Sequence, residues 1–201
     1  MRILSAALLL LATPLVAAPP DDPREVVEAR YAQIRAIMAE TADDDAMRRR
    51  VEALTPEFVD FDAFAAETIR STWNDLTDAQ REAFTAAFKR LIQATYSRHF
   101  KPRQDLHISY GKVVDHGDGR ATVATTLSFE KSQVGVDYRF VRKPDGHWWV
   151  TDLVIDEISL MRNYRAQFRR ILKQDGFDAL LARIQAAATR KERNGDERDE
   201  L

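Results

Sequence analysis

Residues 148–172 read WWVTDLVIDEISLMRNYRAQFRRIL, a stretch that starts as a strand and finishes as a helix. Under strict alternation, Trp148, Val150 and Val154 share one face of the strand. Trp149, Leu153 and Ile155 share the other. Both faces are apolar, yet the chain has none of the βαβ rhythm that lays helices on both sides of a sheet. The residues alone leave open what covers the second face: helices packed on both sides, or a bound ligand.

Three more strands precede this one. Leu106, Ile108 and Tyr110 alternate in the first. Val123, Thr125, Leu127 and Phe129 alternate in the second, and Val134, Val136, Tyr138 and Phe140 in the third. GDG at Gly117–Gly119 and KPDG at Lys143–Gly146 make tight turns between strands. Connections this short give an antiparallel meander of about four strands.

Helices flank the meander. Asp22 caps the first, with Pro23 at its opening position and Val27, Tyr31, Ile34 and Met38 as an apolar stripe. A short second helix turns Met47, Val51 and Leu54 inward. Thr55-Pro56 reads as the start of a third, which carries Phe58, Phe61, Phe64 and Ile69. Thr77 and Gln80 form a capping box before Phe84, Phe88, Leu91, Ile92, Thr95 and Tyr96, and Pro102 follows as a stop. After the sheet, a helix runs to Gly176 and a last one follows it. Helices, an antiparallel sheet, then helices is an α+β arrangement.

The 201 residues suffice for one domain with a real core. Met1-Arg2, an apolar run of about ten residues and the small residues of TPLVAA read as a secretory signal peptide over residues 1–18. Residues 19–188 form the domain, and residues 189–201 a charged, disordered tail whose RDEL ending reads as part of that tail. The net charge of -2 supplies no basic surface for nucleic acid. The chain has no cysteine, which removes disulfides, thiolate metal sites and a lipid-modified N-terminal Cys together.

Catalytic patterns are missing. His99, His107, His116 and His147 fall in no metal-ligand spacing. Asp152 and Asp156 are the best carboxylate pair, but four residues along a strand separate their Cα atoms by about 13 Å. That is too far for a glycosidase-type couple. No metal or cofactor is expected.

Several segments together resemble the MlaC, or toluene-tolerance, family of periplasmic phospholipid-binding proteins. They are WWVTDLVIDEI with the following SLMRNYRAQFRRILKQDGFDALLARI, and FVDFDAFAAETIRSTWNDLTDAQREAFTAAFKRLIQATY with its Trp73 and its Thr77, Gln80, Arg81, Phe84 run. Two positions depart from the family's pattern: Arg70 and Glu157 stand where glycine is common. The resemblance implies a curved, cystatin-like or nuclear-transport-factor-like sheet with helices packed around a lipid cavity. It implies a non-enzymatic carrier moving phospholipid between an outer-membrane lipoprotein complex and an inner-membrane ABC transporter with its lipid-binding subunit. A hopanoid cargo and a small exported enzyme on the same scaffold are the rival readings. Val136, Tyr138, Phe140, Val150, Val154, Ile158 and Leu160 are the expected cavity lining. A diacyl lipid calls for a cavity near the upper end of the ligand range, about 1,000 Å³.

Overall fold

The computed structural model describes residues 20–129 and 132–194; the expected signal peptide and residues 195–201 lie outside them. Helices α1 (Pro23–Glu40), α2 (Asp44–Leu54), α3 (Phe61–Thr68), α4 (Arg70–Trp73) and α5 (Asp78–Tyr96) come first. An antiparallel sheet follows: β1 (Leu106–Gly117), β2 (Arg120–Phe129), β3 (Ser132–Arg142), β4 (Trp148–Ile155) and a two-residue β5 (Ile158–Ser159). The strands pair in chain order. Helix α6 (Leu160–Asn194) closes the fold.

The caps form as the sequence predicts. Asp22 accepts from the Arg24 N–H, and the Thr77–Gln80 capping box is complete. The third helix starts later than Thr55-Pro56 indicates. Those residues open a single 3₁₀ turn, Thr55–Glu57, and Asp60 caps α3 by accepting from the Ala63 N–H. Asp60 wins because the segment before it is held extended by β4: the Asp60 N–H donates to Val150 O and the Val150 N–H to Phe58 O. This short parallel bridge shields part of the β4 edge.

Helix α6 bends at Gly176, whose φ of 80° only glycine adopts without cost. Its continuation runs past residue 188 to Asn194. Arg90 on α5 grips the Glu192 carboxylate through Nε and Nη2 and so holds the last helical turns to the bundle. Helices α3, α5 and α6 meet through an aromatic cluster in which Phe88 contacts Phe64, Tyr164 and Phe168 at ring separations of 5.4, 5.1 and 5.5 Å.

A bulge in β4 settles the opening question about faces. Tyr138 stands opposite Leu153 and Arg139 opposite Asp152, but Phe140 stands opposite Val150, leaving Thr151 unpaired. One extra residue exchanges the two faces of the strand. Val150 and Trp148 therefore join Leu153 and Ile155 on the inner face, while Trp149, Asp152 and Val154 lie on the outer one. Strict alternation grouped them the other way, because a bulge leaves no period of its own in the sequence.

Candidate functional site

Between the inner face of the sheet and helices α1, α2, α3 and α5 lies an apolar cavity of about 560 Å³. Strand β3 contributes Val134, Val136 and Tyr138, β2 contributes Leu127 and Phe129, and β4 contributes Leu153 and Ile155. These side chains follow one another on the pleat at period two, so one sheet face becomes one wall. Tyr31 and Ile34 of α1, Leu54 of α2, Phe58 before α3, and Ile92 and Tyr96 of α5 form the opposite wall. The volume falls in the middle of the range for ligand sites and short of the 1,000 Å³ expected from the sequence.

The cavity has a wet end and a dry end. His99, Ser132 and Asp156 are its exposed lining residues, with Phe100, Gln104 and Phe129 half-buried beside them. They cluster where β2 ends, β3 begins and the chain leaves the 3₁₀ turn after α5. Polar groups around this mouth are already engaged. Ser97 Oγ donates to Glu52 Oε1 at 2.7 Å, Gln93 Nε2 donates to Glu52 O at 2.7 Å, and Asp156 Oδ1 accepts from the Gly135 N–H at 2.9 Å. At the dry end Tyr31 and Tyr138 share a hydrogen bond of 2.6 Å between buried hydroxyls. Burial pushes both phenols above their ordinary range, and the neighbouring hydroxyl adds to this for Tyr138.

The expected lining residues divide. Val136 and Tyr138 stand in the cavity wall. Phe140 and Val150 share their face but lie beyond the floor, fully packed in the core. Val154 is on the outer face, moved there by the bulge. Leu160 is buried in the core cluster, clear of the cavity. Ile158 is 60% exposed, because the chain reverses at Asp156 and Glu157 and carries it outside β4. Following the apolar pattern through this hairpin as though the strand continued is what misplaced Ile158 and Leu160. The inner-face partners Leu153 and Ile155 were visible as apolar residues, but only the register shows that they face the cavity.

The carboxylates do not converge. Asp152 is buried on the outer face, accepting from Ser159 Oγ, the Met161 N–H and Arg139 Nη1. Asp156 stands in the turn at the mouth. Among the described residues no group of three or more His, Asp or Glu is placed to hold a metal, and no helix is long and apolar enough to cross a membrane.

The profile of the MlaC protein family matches residues 24–186. This chain belongs to the MlaC family. No curated protein matches it in a sequence comparison. Among solved structures it is similar to a phospholipid-binding protein from Ralstonia solanacearum, determined in complex with a phospholipid. The TM-score is 0.76 at 20% identity, over 85% of this chain and 98% of that one. At that identity the likeness establishes a common fold.

The residues that carry the resemblance acquire structural reasons here. Thr77 and Gln80 make the cap of α5, and Phe84 enters the aromatic core. Arg81 donates to the carbonyls of Trp73 and Asn74, satisfying the end of α4. Glu157 occupies a position of φ 69°, which explains why glycine suits it. Among the described residues no ion pair joins Glu157 to Arg70.

Proposed function

We propose that this protein carries phospholipid through the periplasm, with acyl chains in the cavity and the head group at the His99–Ser132–Asp156 mouth. The observation that carries this reading is the cavity's polarity gradient: the walls are mainly apolar, their polar members Arg30, Glu52, Thr55 and Gln93 are half-buried, and the exposed polar lining is gathered at one end. Each methylene removed from water stabilises the complex by about 0.8 kcal/mol, so apolar walls hold a chain strongly while saying little about the head group. At about 560 Å³ the cavity encloses part of a diacyl lipid, and the rest lies in the mouth. MlaC membership supports the cargo, the compartment and a place between an outer-membrane lipoprotein complex and an inner-membrane ABC transporter with its lipid-binding subunit. Such a carrier serves outer-membrane lipid asymmetry, and the energy for transfer comes from the transporter. The signal-like residues 1–18 support export.

Organic extraction of the natively purified protein, followed by mass spectrometry, tests the cargo. Phospholipid at close to stoichiometric amounts is the expected result. A triterpenoid in its place, or no apolar molecule, overturns the reading.

A further inference from the structure

The Tyr31–Tyr138 pair poses a problem that the carrier role does not answer. Two hydroxyls carry two hydrogens, and a single hydrogen bond between them uses one. The other has no partner among the described residues. Both side chains are buried and both line the cavity, so this spare donor belongs to its dry end. Burial raises both phenols above their ordinary range, so each keeps its proton at physiological pH.

The position along the sheet gives the pair a measuring role. Ser132 lies at the mouth, and Tyr138 is six residues further along β3, about 20 Å away. That is about the length of an extended fatty acyl chain of ordinary size. Tyr138 is also the last β3 residue of the wall, since Phe140 two residues on is packed in the core. A chain end pressed against the pair would strip water from the spare hydroxyl hydrogen and offer no acceptor in return, which a buried donor resists. A chain that stops short leaves room for a water to take that hydrogen.

Resting on the phospholipid reading, we propose that the Tyr31–Tyr138 hydroxyl pair is a polar stop that limits the length of acyl chain the cavity accepts. The ring contact between the two residues, at 6.4 Å and nearly perpendicular, also ties α1 to β3. Replacing both hydroxyls by hydrogen leaves the rings to pack and makes the floor apolar.

The test is competitive loading. Delipidated wild type and the Tyr31→Phe/Tyr138→Phe protein are incubated with vesicles holding equal amounts of dimyristoyl, dipalmitoyl, distearoyl and diarachidoyl phosphatidylcholine. The bound species are then counted by mass spectrometry. The double variant should raise the ratio of longest to shortest bound lipid by about fivefold or more over wild type. Should the double variant fail to fold, wild type alone decides: its bound lipid should fall off steeply from the distearoyl to the diarachidoyl species. An unchanged ratio in a folded double variant overturns the stop, as does wild type that loads the diarachidoyl species as well as the dipalmitoyl one. Wild type that takes up no phospholipid overturns the carrier reading itself, a result distinct from either.

Discussion

Ser159 Oγ donates a hydrogen bond of 2.6 Å to Asp152 Oδ2, and both residues are buried. The same carboxylate accepts from the Met161 N–H at 3.0 Å and from Arg139 Nη1 at 3.0 Å. Ser159 Oγ in turn accepts from the Arg162 N–H, capping α6. One aspartate on the outer face of β4 thus fixes where the sheet ends and the closing helix begins. Asp152→Ala leaves a buried hydroxyl and a backbone N–H without their acceptor. A loss of about 3 kcal/mol is expected, discounted for the partial exposure of Arg139. Thermal unfolding should shift down by about 6–12 °C. Asp152→Asn, which keeps the packing and one acceptor oxygen, should lose less.

Glu157 adopts φ 69° in a two-residue turn beside Asp156 at φ 45°. A side chain in this left-handed region costs about 1–2 kcal/mol, partly offset by the greater unfolded-state freedom of glycine. Glu157→Gly should therefore raise stability by about 0.5–1 kcal/mol, read as a higher urea midpoint at unchanged slope. Asp156→Gly forfeits the hydrogen bond from the Gly135 N–H and should gain less.

Ile158 and Val136 separate surface from cavity. Ile158→Glu places a carboxylate on a side chain that is already exposed, so stability should move by no more than about 0.5 kcal/mol and bound lipid should stay unchanged. Val136→Glu puts a carboxylate in the cavity wall, where it displaces acyl chain and draws in water. Its lipid content should fall to background. Extraction and mass spectrometry of the two purified proteins decide between them.

Tyr31 and Tyr138 predict an alkaline weakness. Both phenols are held above their ordinary range of about 10 in the folded protein, first by burial. Below pH 10 the folded and unfolded chains bind the same phenolic protons, and stability is level. Above it the unfolded chain loses protons that the folded chain keeps, so stability falls as pH rises, by about 1.4 kcal/mol per pH unit for each tyrosine. Urea unfolding between pH 9 and 11 should show this slope, and the double Phe variant should show a shallower one.

Thr77→Ala removes an acceptor for the Gln80 N–H and half of the capping box. A cost of about 1 kcal/mol is expected from chemical denaturation. Adding Gln80→Ala should cost less than the sum of the two single changes, because each side chain serves the other's backbone.

Local rules written into the sequence determined much of this protein. Caps at Asp22 and Thr77, the aromatic stripe of Phe84 and Phe88, the turns at Gly117–Gly119 and Gly146, and the period-two rows of β2 and β3 are short-range choices. Each is made by residues within one or two turns of one another, and Val136 and Tyr138 were legible as wall residues for that reason. The tertiary structure decided what spacing does not encode. An unpaired Thr151 exchanged the faces of β4, sending Val154 outward and turning Val150 inward. A turn through two positive φ angles put Ile158 in solvent and Leu160 in the helical core. The meeting of Tyr31 with Tyr138 spans 107 positions of sequence and exists only because α1 lies across the sheet. Register, chain reversal and cross-element pairing depend on which strands and helices finally lie side by side, and one extra residue in a strand is enough to invert the reading of everything beyond it.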